Sequence, residues 1–131
     1  MNLLLDTQVW LWSLLQPERL NQEAQTLLAD WQNQLYLSSA SVWEISIKAA
    51  LGKLPLPEPP ATYVTNRMEL QGILALNITR AHALEVFSLP AHHRDPFDRM
   101  LIAQSRVEKF PVLTADSLFK VYEVEIVWSG A

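Results

Sequence analysis

Four acidic residues stand where an α/β chain would gather them. Asp6 directly follows an apolar run (LLLDT), and Asp116 follows the FPVL run as LTAD. Glu44 and Asp98 fall in the first turns of helical stretches that come after loops. Carboxylates drawn together repel one another, and some would hold a proton unless a cation sat among them. Hard oxygen ligands, with no cysteine in the chain, suit Mg²⁺ or Mn²⁺ rather than zinc. A pocket holding one or two such ions is built for phosphodiester hydrolysis. One ion lowers the pKa of an attacking water, and the ions offset charge on the phosphate and leaving oxygen.

Each acid also has a plainer role open to it. Ser41-Val42-Trp43-Glu44 matches a capping box, with Glu44 reaching back to the cap's backbone N–H. Asp98 favours the dipole of its own helix. Asp95 is better explained as the N-cap before Pro96 than as a ligand. Asp116 fits a turn before Ser117. Asp6 is hardest to explain this way, because an acid beside a buried strand needs partners.

The basic groups read similarly. Lys48 stands four residues after Glu44, the spacing of a helical ion pair. Arg99 borders Asp98 and, with Lys53, is a candidate contact to backbone phosphate. His82 is expected on a helix surface. His92, His93 and Arg94 form a loop for which solvation and a phosphate contact both stay open. Adjacent histidines do not readily share one tetrahedral zinc.

The elements that would position these groups alternate. Short strands are expected at Leu3–Leu5, Leu35–Leu37, Ile73–Leu76, Phe110–Leu113 and Glu125–Trp128. Helices are expected over 9–15, 21–31 (Ala24, Leu27, Leu28 and Trp31 on one stripe), about 39–51 with Gly52 as stop, 61–71, 80–87 and 96–107, with a helical turn at 117–121. Such alternation argues for a mainly parallel sheet with helices on both faces. Ligands of these sheets bind outside the carboxyl ends of the strands. Both Asp6 and Asp116 would lie on that edge.

Length and composition set the frame. At 131 residues, 50% hydrophobic and 18% charged, the whole chain reads as one domain, 1–131. A domain of this size buries enough surface to need no disulfide or structural metal. The proline-rich segment 54–60 reads as a surface connection, not a boundary. Asp6 interrupts the greasy start, no base precedes it and no cleavage site follows, so neither a signal peptide nor a membrane span is expected. A cysteine-free chain is taken as intracellular, and cytoplasmic. The net charge of −4 argues against a general nucleic-acid coat, yet setting the four acids aside leaves ten acids against ten bases. The stretch 9–15 is apolar nearly all round. Core packing and a partner-binding groove both stay open for it, since five tryptophans are many for so small a core.

Taken in order, LLLDTQVWLW, SSASVWEISIKAALGKL, HHRDPFDRMLIAQ, VLTAD and VEIVW resemble PIN-domain proteins, above all the ribonuclease toxins of VapBC toxin–antitoxin pairs. The likeness runs over essentially the whole chain. It implies an α/β/α sandwich and a metal-dependent endoribonuclease acting as a toxin. By this resemblance Asp6, Glu44, Asp98 and Asp116 match the family's acidic quartet and hold Mg²⁺ or Mn²⁺, with Asp6 and Asp98 the firmest ligands. Thr114 matches the hydroxyl of the T-x-D segment, which orients a carboxylate or water. RNA as substrate, a cognate antitoxin and a homodimer follow from the same likeness, and the 9–15 helix becomes a candidate part of the antitoxin groove. Relatives often carry His where this chain has Gln8, a position given no catalytic role. Two other classes compete. A catalytically silent PIN-like binding module would explain the acidic charge but gains nothing from four clustered acids. A phospho-acceptor or phosphatase domain would want further acids where Thr7 and Gln8 stand.

Overall fold

The computed structural model describes residues 1–92, 95–122 and 124–130. Five strands form one sheet: β1 (Asn2–Leu5), β2 (Gln34–Ser38), β3 (Leu74–Leu76), β4 (Val112–Thr114) and β5 (Ile126–Trp128). Their order across the sheet is β3-β2-β1-β4-β5, with every neighbouring pair parallel. The helices are α1 (Thr7–Leu15), α2 (Gln22–Ala29), α3 (Ser39–Ala50), α4 (Pro60–Gln71), α5 (Arg80–Glu85) and α6 (Pro96–Glu108). Short 3₁₀ turns cover Pro17–Arg19, Val86–Ser88 and Ser117–Val121.

The pleat divides the strand side chains between two helical layers. Leu3 and Leu5 of β1, Leu35 and Leu37 of β2 and Leu113 of β4 pack with Val9, Trp10, Ala24, Ile45 and Val64. Leu4 and Val112, pointing the other way, pack with Leu101, Ile102, Ala103, Phe119 and Tyr122. The expected α/β/α sandwich with a parallel central sheet is what forms. Strand order reverses beside β1, whose successors lie on one side through β2 and on the other through β4. The crevice outside the carboxyl ends of β1 and β4 is thus the topological switch point of the sheet.

Several local expectations are corrected. Helix α2 stops at Ala29, where Asp30 takes the backbone N–H of Gln32 in a tight turn. Trp31 therefore leaves the expected apolar stripe and is 81% exposed. The cap of α3 is Ser38, whose hydroxyl accepts from the Ala40 N–H. Ser41 is then already inside the helix, so the Ser41–Glu44 capping box does not form, and Glu44 lies in the second turn rather than the first. His82 is fully buried, not on a surface. It completes a capping box with Thr79, whose N–H donates to His82 Nδ1 at 3.0 Å, while Nε2 meets Glu108 at 2.8 Å. The α-helical part of the 80–87 stretch ends at Glu85, and β4 begins two residues later than the FPVL run suggested, after Pro111. Core packing takes most of α1: Val9, Trp10 and Leu11 are buried, and Leu15 is left at the surface.

Candidate active site

Asp6 leaves β1 at the sheet's carboxyl edge, and its N–H extends the β1–β4 ladder by donating to Leu113 O at 3.0 Å. It occupies the N-cap position of α1 without a capping bond from its side chain. Its carboxylate instead accepts from the Thr114 hydroxyl, Oγ1 to Oδ2, at 2.7 Å. The same hydroxyl accepts from the Asp116 N–H at 3.0 Å. One buried threonine at the end of β4 thus ties Asp6 to the backbone of Asp116. Asp116 caps the following 3₁₀ turn, its Oδ1 accepting from Leu118 N at 2.9 Å, so the turn role expected of it is present as well.

Asp98 sits in the first turn of α6, as expected. Asp95 is the N-cap of that helix: its Oδ1 accepts from the N–H groups of Phe97 at 2.8 Å and Asp98 at 3.3 Å, and Pro96 follows at N1. Glu44 projects from α3 and is nearly buried. Its Oε2 accepts from Lys48 Nζ at 2.7 Å, the i,i+4 pair that the spacing suggested. Behind this wall the buried Thr7 hydroxyl donates to Ser41 Oγ at 2.7 Å.

Asp6, Glu44, Asp98 and Asp116 line one cleft of about 410 Å³, together with Asp95, Lys48, Lys53, Leu11 and Trp12. Its electrostatics follow from burial and crowding. Burial pushes Asp6 from the usual 3.8 up to about 6, against the hydrogen bond from Thr114. Burial, then the charges of Asp6, Asp95, Glu44 and Asp116, push Asp98 up to about 8. Lys48 is raised by its bond to Glu44. Among the described residues Lys48 and Lys53 are the cations that line the cleft, and burial and crowding still push Asp6 and Asp98 toward their protonated forms.

A hard divalent cation fits this donor set. The lining acids supply oxygen only, and among the described residues no group of three or more His, Cys, Asp or Glu makes a ready-made metal cage. Mg²⁺ takes one or two carboxylates and keeps several waters, and Asp6, Glu44, Asp98 and Asp116 supply carboxylate oxygens at this cleft.

Arg99 does not point into the cleft. Its guanidinium donates to the carbonyl of Pro90 at 2.8 Å and lies 3.4 Å from that of Val86 and 3.5 Å from that of Leu89. Those bonds hold the segment before α6 and displace the phosphate contact that its position beside Asp98 suggested. Of the histidine loop, His92 packs edge-on against Tyr122, and His93 and Arg94 lie outside the described residues. Two features went unread in the sequence. Ser41 was read as a helix cap, and Thr7 only as a position where a phospho-acceptor domain would carry an acid. The signal that could have marked them is their place, one directly after Asp6 and the other one turn before Glu44.

A family model for the PIN domain matches residues 3–125 of the chain. A 60-residue stretch is 47% identical to ribonuclease VapC16 of Mycobacterium tuberculosis. That stretch is 46% of this chain and 43% of the relative's own length. Among solved structures, the fold is similar to a chain of VapBC2 from Rickettsia felis bound to a promoter DNA fragment, with TM-score 0.73 and 13% identity over 98% of this chain and 99% of that one. It is also similar to a chain of DNA-bound VapBC from Salmonella typhimurium, with TM-score 0.71 and 13% identity over 97% of each. FitAcB from Neisseria gonorrhoeae gives 0.63 and 21% over 95% of each. At these identities the structural likeness is one of fold.

Proposed function

The chain belongs to the PIN-domain family, and from that premise we propose that it is a divalent-metal-dependent endoribonuclease, the toxin of a type II toxin–antitoxin pair. The observation that carries the reading is the gathering of Asp6, Glu44, Asp98 and Asp116, from four separate segments, in one cleft at the switch point of the sheet. A scaffold has no use for four mutually repelling acids, two of them pushed up to about 6 and about 8. The likeness of one stretch to a named ribonuclease supports the same assignment.

Asp6, Asp98, Asp116 and Glu44 are the groups that would hold Mg²⁺ or Mn²⁺. When bound, the ion supplies an activated water and offsets charge on the phosphate. The chain's own residues do the rest. Thr114 fixes the Asp6 carboxylate and the approach of Asp116. Asp95 anchors the start of α6 and so the height of Asp98 at the cleft. Lys48 keeps Glu44 turned along α3, and Lys53 offers a cation at the rim for a neighbouring phosphate of the strand. Leu11 and Trp12 form an apolar wall that limits access of water from that side.

An antitoxin partner and pairing of two copies belong to the same proposal, as does action in the cytoplasm. Among the described residues no helix is long and apolar enough to cross a membrane. Apolar groups remain at the surface for protein contacts: Trp43 is 61% and Phe87 94% exposed.

The test is RNA cleavage by the purified chain in Mg²⁺ or Mn²⁺ and in EDTA, beside Asp98→Asn prepared identically, with Mn²⁺ binding measured on both. Cutting that needs metal and falls to the EDTA level in Asp98→Asn is the expected result. Metal binding by neither protein would overturn the assignment in favour of a silent module.

A further inference from the structure

We infer that the buried hydroxyl pair Thr7–Ser41 is a positioning device that sets the spacing of Asp6 and Glu44 and thereby the affinity of the cleft for a divalent cation. The inference rests on the metal-site reading above and goes beyond it to residues outside the acidic set.

Thr7 is the first residue of α1 and follows Asp6 directly. Ser41 lies in the first turn of α3, and Glu44 stands three residues on, on the same helical face. Strands β1 and β2 are parallel neighbours, so α1 and α3 begin side by side at the same sheet edge. The two hydroxyls meet there at 2.7 Å, Ser41 fully buried and Thr7 nearly so. Each acid is thus one short, stiff stretch of backbone from the same hydrogen bond. Asp6 is held on its other side by Thr114, and Glu44 by Lys48. The Thr7–Ser41 bond is a direct side-chain tie between the two halves.

Stability does not explain the pair well. Buried hydroxyls must be satisfied, and two apolar groups of the same shape would hold the helices nearly as well. What the bond adds is a fixed distance and direction between the helix starts. Residues that orient ligands in this way are worth roughly 10–100-fold in metal affinity or activity.

The test uses the full chain and Mn²⁺ alone, read by calorimetry and by the electron paramagnetic resonance of the bound ion. Thr7→Val and Ser41→Ala should each weaken Mn²⁺ about 10-fold and alter the resonance. Their double variant should be no weaker than either single, since both remove one bond. Thr7→Ser, which restores the hydroxyl, should bind as the wild type does. In a Glu44→Gln background Thr7→Val should have no further effect, because the pair acts through Glu44. Should Thr7→Val fail to fold, Ser41→Ala against Ser41→Thr makes the same comparison. Unchanged affinity in Thr7→Val and Ser41→Ala, with Asp98→Asn weakened, would overturn the positioning role and leave the metal site standing. Unchanged affinity in Asp98→Asn as well would overturn both.

Discussion

At the scale of single residues the cleft depends on one threonine. Thr114 donates to Asp6 and accepts from the Asp116 backbone, so its hydroxyl is saturated in both directions. Thr114→Val keeps the volume and removes both bonds. The Asp116 N–H is then left without its acceptor, and Asp6 loses the one side-chain hydrogen bond that favours its charged form. Three effects should appear together. Stability should fall by about 1–3 kcal/mol in urea titration. The Asp6 carboxyl should titrate above its present value of about 6 in ¹³C NMR of the metal-free protein. Cleavage should drop roughly 10–100-fold, as for other groups that orient ligands. An Asp6 titration that stays in place would show that this hydroxyl does not tune it. Asp6, Asp98 and Asp116 were legible in the sequence because each follows a strand or opens a helix, whereas Glu44 lies a turn further into α3 than its sequence position suggested and still reaches the cleft. The direction of Arg99 was not, since a guanidinium chooses among acceptors, and three backbone carbonyls before α6 outcompete the cleft.

At the scale of elements, the start of α6 is set by chemistry that the chain spells out. Asp95 caps it, and Pro96 fits the first helical position with no N–H to lose. Asp95→Ala should cost about 1 kcal/mol, and Asp95→Ser should recover most of it. Either change also removes a charge beside Asp98, so Asp98 should titrate lower than about 8 in both. The packing of α5 on α6 was illegible by contrast. His82 looked like a surface residue because its neighbours in sequence are polar or small. Its burial is decided by Thr79 and Glu108, residues three before it and 26 after it. A ring that closes a capping box and fills core volume is expensive to remove. His82→Ala should destabilise by about 2–4 kcal/mol, seen as a shifted urea midpoint, while cleavage per folded molecule stays near wild type. Trp31 teaches the same lesson from the other side. Its spacing continued the α2 stripe, but the Asp30 turn ended the helix first.

At the scale of the whole molecule, the parallel sheet concentrates acids at one edge, and the fold must tolerate the result. The strand alternation that revealed the sheet was readable because strands buried on both faces are apolar throughout. The sheet order was not, because nothing in an isolated strand says which neighbour it takes. That order matters energetically, since placing β4 beside β1 brings Asp116 to Asp6. Without a cation the folded cleft binds protons that the unfolded chain would release: Asp6 rises from 3.8 to about 6 and Asp98 from 3.8 to about 8. Stability changes with pH according to the difference in bound protons between the unfolded and native states. Here the native state binds more, so stability is greatest below the unfolded value of 3.8, as far as these two groups are concerned, and is lost as pH rises through about 6 and then about 8. In EDTA the melting temperature should therefore fall between pH 5 and pH 8.5. Mn²⁺ replaces those protons, so its stabilising effect should grow over the same range. At a hundred times its dissociation constant it adds about 2.7 kcal/mol, roughly 10 °C for a domain of this size. Scanning calorimetry at three pH values, with and without Mn²⁺, checks both slopes. A melting temperature that rises with pH in EDTA would mean that the acids of this cleft are already neutralised by groups of the chain itself, and the case for a cation would fail with it.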